Sequence, residues 1–283
     1  MPQQQPEQPQ EQAPPRLLVV VVSCNRIALL RRCLAALEAS RARDTFHIVL
    51  IDNGSRDGSQ QIDTEFPNVQ VMRLPRNFGL TKALNIGIRA RETDFVLFLH
   101  EDTELLDPGA IEAMLAALDN SPNAGAVAPL LVDAEGRPAP QAGNLPPDGV
   151  FQPAEPGAEP IEVDYASGAA LMVRSFFLKA MRKFDERYGQ FGSDAEICYQ
   201  IRRVDKQVLI LPDVRALHHG RQADSDLRQA DFQLGAATWL WKHQGMFSWL
   251  GARISATLKA FFSFRLRQFA YLISGQKLDG TQS

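Results

Sequence analysis

Residues 17–22 read LLVVVV, and no other feature limits the fold of this chain so strongly. A strand with one solvated face alternates apolar and polar side chains. An unbroken, β-branched run belongs to a strand covered on both faces, as in a parallel sheet. The following segments keep to that design. A helical pattern places Ile27, Leu30, Leu34 and Leu37 on one stripe. FHIVLID (46–52) and VQVMRL (69–74) read as the second and third strands, 79–91 as a helix, and DFVLFLH (94–100) as a fourth strand. Asp107 and Pro108 are good starting residues for a helix that holds Ile111, Met114, Leu115 and Leu118. GAALMV (168–173) reads as a strand, DAEICYQIRRV (194–204) as a helix, and QVLILP (207–212) as a strand ending before VRALHHG. Strands alternating with helices predict a three-layer α/β fold with a mostly parallel sheet.

In such sheets ligands bind outside the carboxyl ends of the strands. Three polar clusters fall there by topology: Ser23 to Arg26 after the first strand, Asp52 with Asn53 and Ser55 after the second, and His100 to Asp102 after the fourth. LHEDTEL (99–105) has two readings of equal weight, a strand end that holds a divalent metal or a solvated turn before a helix capped at Asp107. Asp194 and Glu196 open a helix, where carboxylates favour the dipole by roughly 0.3–1 kcal/mol each; the functional reading is Asp194 as a general base. The pair His218–His219 is either structural or the source of a third metal ligand.

Charge and composition narrow the classes. With 283 residues, 45% of them hydrophobic, the chain can bury a sizeable core, as one large domain or as one domain with an appendage. A formal net charge of -3 supplies no basic field, so no nucleic-acid partner is expected. Cys24, Cys33 and Cys198 form no CxxC pair and no complete disulfide set, which suggests reduced thiols in the cytoplasm. Residues 1–15 are rich in Gln and Pro and read as a disordered tail without a signal sequence. No apolar run approaches the roughly 20 residues that span a bilayer. Residues 133–160 are rich in Pro, Gly, Ala and Glu and read as a long, flexible exposed loop. No GxGxxG follows LLVVVV, and SCNRIALLRR lacks a glycine-rich basic loop, which removes a dinucleotide-binding dehydrogenase and a nucleotidyltransferase.

The motifs VSCNR, IDNGSRDGS, NFGLTKALNIGI, LFLHEDTEL, SGAALMVR, FGSDAEICYQIRR and LHHG occur in that order between residues 16 and 222. This series resembles the family 2 glycosyltransferases of the GT-A fold, in particular their bacterial rhamnosyltransferase-like branch. The resemblance implies a nucleotide-binding set of Ser23, Asn25, Arg26, Asp52, Asn53, Ser55 and Glu101, with Asn77, Gly79, Lys82 and Asn85 packed beside the nucleotide and sugar. The last Asp of the family's D-x-D motif falls on Asp102, whose metal site His218 would complete, with His219 as the fallback. His100 stands where that motif has its first Asp, and Ser193 where the acidic catalytic motif has its Glu; Asp194 keeps its chemical type and is the implied base. The resemblance further implies Mg²⁺ or Mn²⁺ as cofactor. It implies inverting transfer from a dTDP- or UDP-linked sugar to a glycan or lipid-linked acceptor of a surface polysaccharide, without a glycosyl-enzyme intermediate. The alternative is a catalytically silent GT-A domain that binds a nucleotide sugar or glycan as a scaffold.

The helical extension, 223–283, lies outside the matched stretch. Phe247, Leu250, Ile254, Leu258, Phe261, Phe269 and Leu272 fall on one helical face interrupted by Arg265, with Arg253, Lys259 and Arg267 off it. That face packs on the catalytic domain or a second subunit, or rests on the inner leaflet of the cytoplasmic membrane.

Overall fold

The computed structural model describes residues 15–148, 150–220 and 226–275; the tail expected over 1–15 lies outside them except for Pro15. Strand β1 (Leu17–Ser23) is buried along its whole length. Helix α1 (Ile27–Glu38), strands β2 (Phe46–Asp52) and β3 (Gln70–Arg73), helix α2 (Leu80–Gly87) and strand β4 (Phe95–His100) follow. The four strands are parallel in the order β3-β2-β1-β4. The LLVVVV run divides between two cores. Leu17, Val19 and Val21 join Leu30, Leu34 and Leu37 of α1, while Leu18, Val20 and Val22 join Ala83 and Leu84 of α2. Each fully buried side chain of this kind contributes roughly 1.5–3 kcal/mol. A Cβ at Gly87 would stand 2.4 Å from Val20 Cγ1, so the close approach of α2 to the sheet requires glycine.

The second half turns mixed. Strand β5 (Thr103–Leu105), helix α3 (Ala110–Asn120) and strand β6 (Ala124–Val132) lead to four short strands: β7 (Pro140–Gly143), β8 (Gln152–Pro153), β9 (Ile161–Val163) and β10 (Tyr165–Ala166). Then come β11 (Ala170–Arg174), α4 (Ser175–Met181), α5 (Ser193–Arg202) and β12 (Gln207–His218). The main sheet continues as β4-β11-β6-β12-β5, with β11 antiparallel to both neighbours, and β9 pairs with β12. Strand β6 was not legible. Its sequence AGAVAPLLV is poor in β-branched residues, yet all nine are buried, so tertiary packing overrides propensity.

Two expectations need correction. The last strand does not end at residue 212; after a register shift between Leu211 and Arg215 it continues to His218. Residues 133–160 are not an open loop throughout. They carry β7 and β8, which form a second sheet with β10 in the order β10-β7-β8, and they bury Gln141. The Gln141 amide donates to the Pro129 carbonyl at 2.9 Å and accepts from Leu131 N.

Among its described residues the C-terminal extension forms three helices, α6 (Asp226–Gln244), α7 (Met246–Phe262) and α8 (Leu266–Ser274). Breaks fall at Gly245 (φ 91°) and Phe264 (φ 57°). The single face expected over 247–272 is therefore divided. Phe247, Leu250, Ile254, Leu258 and Phe261 are exposed on α7, whereas Leu272 is buried and packs with Ala230, Leu234 and Ala260. No helix among the described residues is long and apolar enough to cross a membrane.

Candidate active site

Strand register assembles the site. Ser23 stands level with Asp52 across β1–β2, and Val22 with His100 across β1–β4. β5 begins directly after Asp102, and β12 returns antiparallel to it with His218 opposite Thr103. The unexpected extension of β12 thus brings His218 to Asp102. A main-chain hydrogen bond from His219 N to the Asp102 carbonyl (2.9 Å) closes the pair.

Asp102 is 3% exposed. Its Oδ2 accepts from Arg26 Nη1 at 3.2 Å, and Arg26 Nε lies 3.7 Å from Glu101 Oε1. Its Oδ1 is buried and accepts no hydrogen bond. That orphaned oxygen faces His218 Nε2 at 3.5 Å and His100 Nδ1 at 3.9 Å. One ligand atom from each of His100, Asp102 and His218 lies within 4.8 Å of the others, the one such group among the described residues. Donors sharing an ion at about 2.1 Å stand roughly 3 Å apart, so two imidazoles and an unsatisfied carboxylate oxygen fit a divalent cation. Burial would raise the Asp102 carboxyl, but His218, His100 and Arg26 hold it well below its ordinary range. His100, which departs from the family pattern, is thereby a member of the group. His219 is not; its Nε2 meets Glu104.

Asp194 sits in the first turn of α5, after Gly192 at φ 111°. Its Oδ2 accepts from Gly168 N (3.0 Å) and its Oδ1 from Ala195 N (2.9 Å). A Cβ at Gly168 would come within 3.1 Å of Asp194 Cβ, so glycine leaves room for the carboxylate. Burial raises the Asp194 carboxyl above its ordinary value, against the pull of Gly168 N and its other donors. Asp194 and the His100–Asp102–His218 group line one cavity of about 170 Å³, whose walls include Val22, Leu80, Leu84, Phe98 and Phe184.

The residues expected around the nucleotide divide by what their side chains already hold. Asp52 Oδ1 accepts from Ser55 N (3.0 Å), Ser55 Oγ accepts from Asn25 N (3.0 Å), and Asn25 Oδ1 accepts from Arg56 N (2.7 Å). These bonds lock the loops after β1 and β2 together. The buried Ser23 Oγ makes no hydrogen bond. Gly54, at φ 81°, could not carry a Cβ, which would meet the Arg76 backbone at 2.5 Å. Asn53 and Asn77 pair through their amides at 2.9 Å and hold the backbone of Phe78 and Gly79. Lys82 Nζ stands 4.5 Å from the Phe78 ring centroid. Asn85 is buried and clasps the backbone of Phe184 on both sides, at 3.0 and 2.8 Å. Arg26 faces the carboxylates rather than the Asp52 loop. Glu101 lines the cavity.

Two contributions escaped the sequence reading. Phe151, from the stretch read as a loop, and Arg228, on α6, also line the cavity. Phe151 is an aromatic in a Pro/Gly-rich segment, which was the available signal; Arg228 lies beyond the recognised motifs and gave none.

Comparison with known proteins agrees with this fold. A family model described as glycosyl transferase family 2 matches residues 18–180. The chain is 29% identical to the N-acetylglucosaminyl-diphospho-decaprenol L-rhamnosyltransferase of Mycobacterium tuberculosis, with 89% of each protein covered. It is similar to the crystal structure of GalNAc-T7 with UDP, GalNAc and Mn²⁺ (TM-score 0.65, 17% identity, 92% of this chain and 58% of that one). It is also similar to the mannosyltransferase PcManGT of Pyrobaculum calidifontis in complex with GDP-Man and Mn²⁺ (TM-score 0.59, 16% identity, 93% and 86% covered). At such identities the structural likeness speaks for the fold, which is the expected GT-A architecture.

Proposed function

The chain belongs to glycosyl transferase family 2, and from that premise we propose that it transfers a sugar, with inversion, from a nucleoside-diphosphate donor to a glycan or lipid-linked acceptor in surface polysaccharide synthesis. The observation that carries this reading is the single cavity lined by both Asp194 and the His100–Asp102–His218 group. Asp194 takes the proton from the acceptor hydroxyl as that oxygen attacks the anomeric carbon. Its burial strengthens it as a base. One carboxylate suffices for a single displacement, so no glycosyl-enzyme intermediate forms. A Mg²⁺ or Mn²⁺ held by His100, Asp102 and His218 would offset charge on the leaving diphosphate. Apolar walls keep water from the reacting centre. The loops carrying Ser23 and Asp52 receive the nucleoside.

Support for the finer assignments comes from the chain's neighbours and its surface. The mycobacterial relative is named for L-rhamnosyl transfer to a decaprenol-linked acceptor. A deoxysugar methyl suits walls of Val22, Leu84 and Phe98, which favours a dTDP- or UDP-linked deoxyhexose as donor. The exposed apolar face of α7, a helix that also carries Arg253 and Lys259, suits an anionic membrane surface on which a lipid-linked acceptor would be met. On this reading the enzyme meets its acceptor at the inner face of the cytoplasmic membrane.

Calorimetric titration with dTDP, UDP and GDP, with and without Mn²⁺, tests the site. One nucleotide binds more tightly with the metal, and Asp102→Ala removes the metal's effect while leaving metal-free binding in place. Equal affinity with and without Mn²⁺ in the unaltered protein would overturn the assignment of the three ligands.

A further inference from the structure

Helix α6 begins far beyond the family match at residues 18–180, yet one of its faces is fastened to the loop that leads into catalytic helix α5. The contacts fall at positions 228, 231, 232 and 235, a spacing of i, i+3, i+4 and i+7. Buried Asp231 accepts from Gln190 N at 2.9 Å. A Cβ on Gly189 would stand 2.2 Å from Asp231 Oδ1, so the loop closes on that carboxylate because residue 189 has no side chain. The Phe232 ring lies 5.2 Å from the Phe191 ring. A Cβ on Gly235 would meet the Phe191 carbonyl at 2.6 Å, which shows how closely helix and loop approach. Arg228 is the last residue of this face toward the cavity. Its guanidinium lies 5.5 Å from the Phe191 ring centroid, and it lines the same cavity as Asp102, His218 and Asp194.

Glu101, Asp102 and Asp194 line that cavity, and Arg26 is held by Asp102 and Glu101. A nucleoside diphosphate leaves with at least two negative charges. A single divalent ion shared with Asp102 leaves part of that charge unmatched. A guanidinium presents a planar fork of donors that fits phosphate oxygens.

We infer that Arg228 is a second, metal-independent cation for the donor's diphosphate, delivered by the C-terminal helical extension. This assignment rests on the family-2 reading of the cavity. The docked face of α6 sets its position, and the Phe191 ring supports the flat of the guanidinium. The extension is then part of the donor site and not only a packing or docking module.

The test is calorimetric titration of the full chain, in EDTA and in Mn²⁺, with dTDP, UDP and GDP and with the matching monophosphates and nucleosides. Arg228→Gln and Arg228→Lys are compared with the unaltered protein after matching their thermal melts. In EDTA the unaltered protein prefers the diphosphate that it binds over the corresponding monophosphate. Arg228→Gln weakens that diphosphate roughly tenfold or more and leaves the nucleoside unchanged, as expected for the loss of charge-assisted hydrogen bonds. Arg228→Lys keeps part of the preference, since it keeps the charge but not the fork. Unchanged diphosphate affinity in Arg228→Gln overturns the inference. So does an equal loss for nucleoside and diphosphate, which would mark Arg228 as a structural residue. If the unaltered protein binds no nucleotide in either buffer, the donor-site reading itself fails, and the inference falls with it.

Discussion

Asp194 shows how surroundings shift the chemistry of a side chain. An aspartate at a helix N-terminus is ordinarily a stabilised anion. Here burial opposes ionisation and raises the carboxyl. A base must be deprotonated to act, so activity is lost as pH falls through the raised value. The acid limb of kcat/KM therefore lies at higher pH than for an exposed aspartate, and Asp194→Asn lowers kcat by roughly 10²–10⁴. An acid limb at or below the ordinary aspartate range would contradict this role. The sequence shows residue type and strand position, so Asp102, His218 and Asp194 stand out as candidates where topology and motif order agree. It does not show whether a side chain is already engaged. Asn53, Asn77 and Asn85 carry the expected amides, but their hydrogen bonds hold backbone at Phe78, Gly79 and Phe184.

At the scale of elements, α5 and α6 are joined through Glu196. This carboxylate is fully buried. It accepts from Tyr188 Oη (2.9 Å), Gln200 Nε2 (2.9 Å) and Lys242 Nζ (2.8 Å), and it meets His243 Nε2 at 2.8 Å. Burial alone would raise its pKa, but Lys242, His243 and Gln200 hold it below the ordinary 4.5. A carboxylate whose folded pKa is depressed contributes stability above its unfolded pKa and loses it as pH falls through the folded one. Glu196→Ala leaves Lys242 and Tyr188 without their partner and costs roughly 3–5 kcal/mol at neutral pH. Denaturant unfolding followed from neutral to acid pH measures this. In the variant the loss of stability toward acid is shallower, and an unchanged slope would show that Glu196 is not a source of the acid sensitivity. The elements themselves were legible where pattern and burial agree, as in β1, β2 and β4. They were not legible where the core takes Ala and Pro, as in β6, or where a strand crosses a register shift, as in β12. The end of β12 mattered most, because it carries His218.

The whole molecule joins a compact sheet to an extension that, among the described residues, leaves one apolar side exposed. Phe247, Ile254, Phe261 and Phe262 are exposed on α7, and Phe264 follows at 88% exposure. Patches of this kind mark contact surfaces. Flotation with vesicles containing phosphatidylglycerol tests the membrane assignment. The protein floats with anionic vesicles, and Phe247→Asp with Ile254→Asp abolishes flotation without changing the melt. Flotation that survives the double substitution would contradict the assignment. The sequence showed the amphipathic spacing of 247–261 but not the break at Phe264, which turns one apparent face into an exposed helix and a packed one.

A single displacement driven by Asp194 inverts the anomeric carbon, so the stereochemistry of the product reads the mechanism. The protein, with Mn²⁺, dTDP-L-rhamnose and a polyprenyl-diphosphate N-acetylglucosamine acceptor, is allowed to form product, whose anomeric configuration is read by NMR against that of the donor. Inversion, with no product from Asp194→Asn, is the predicted result. Retention of configuration would contradict the account.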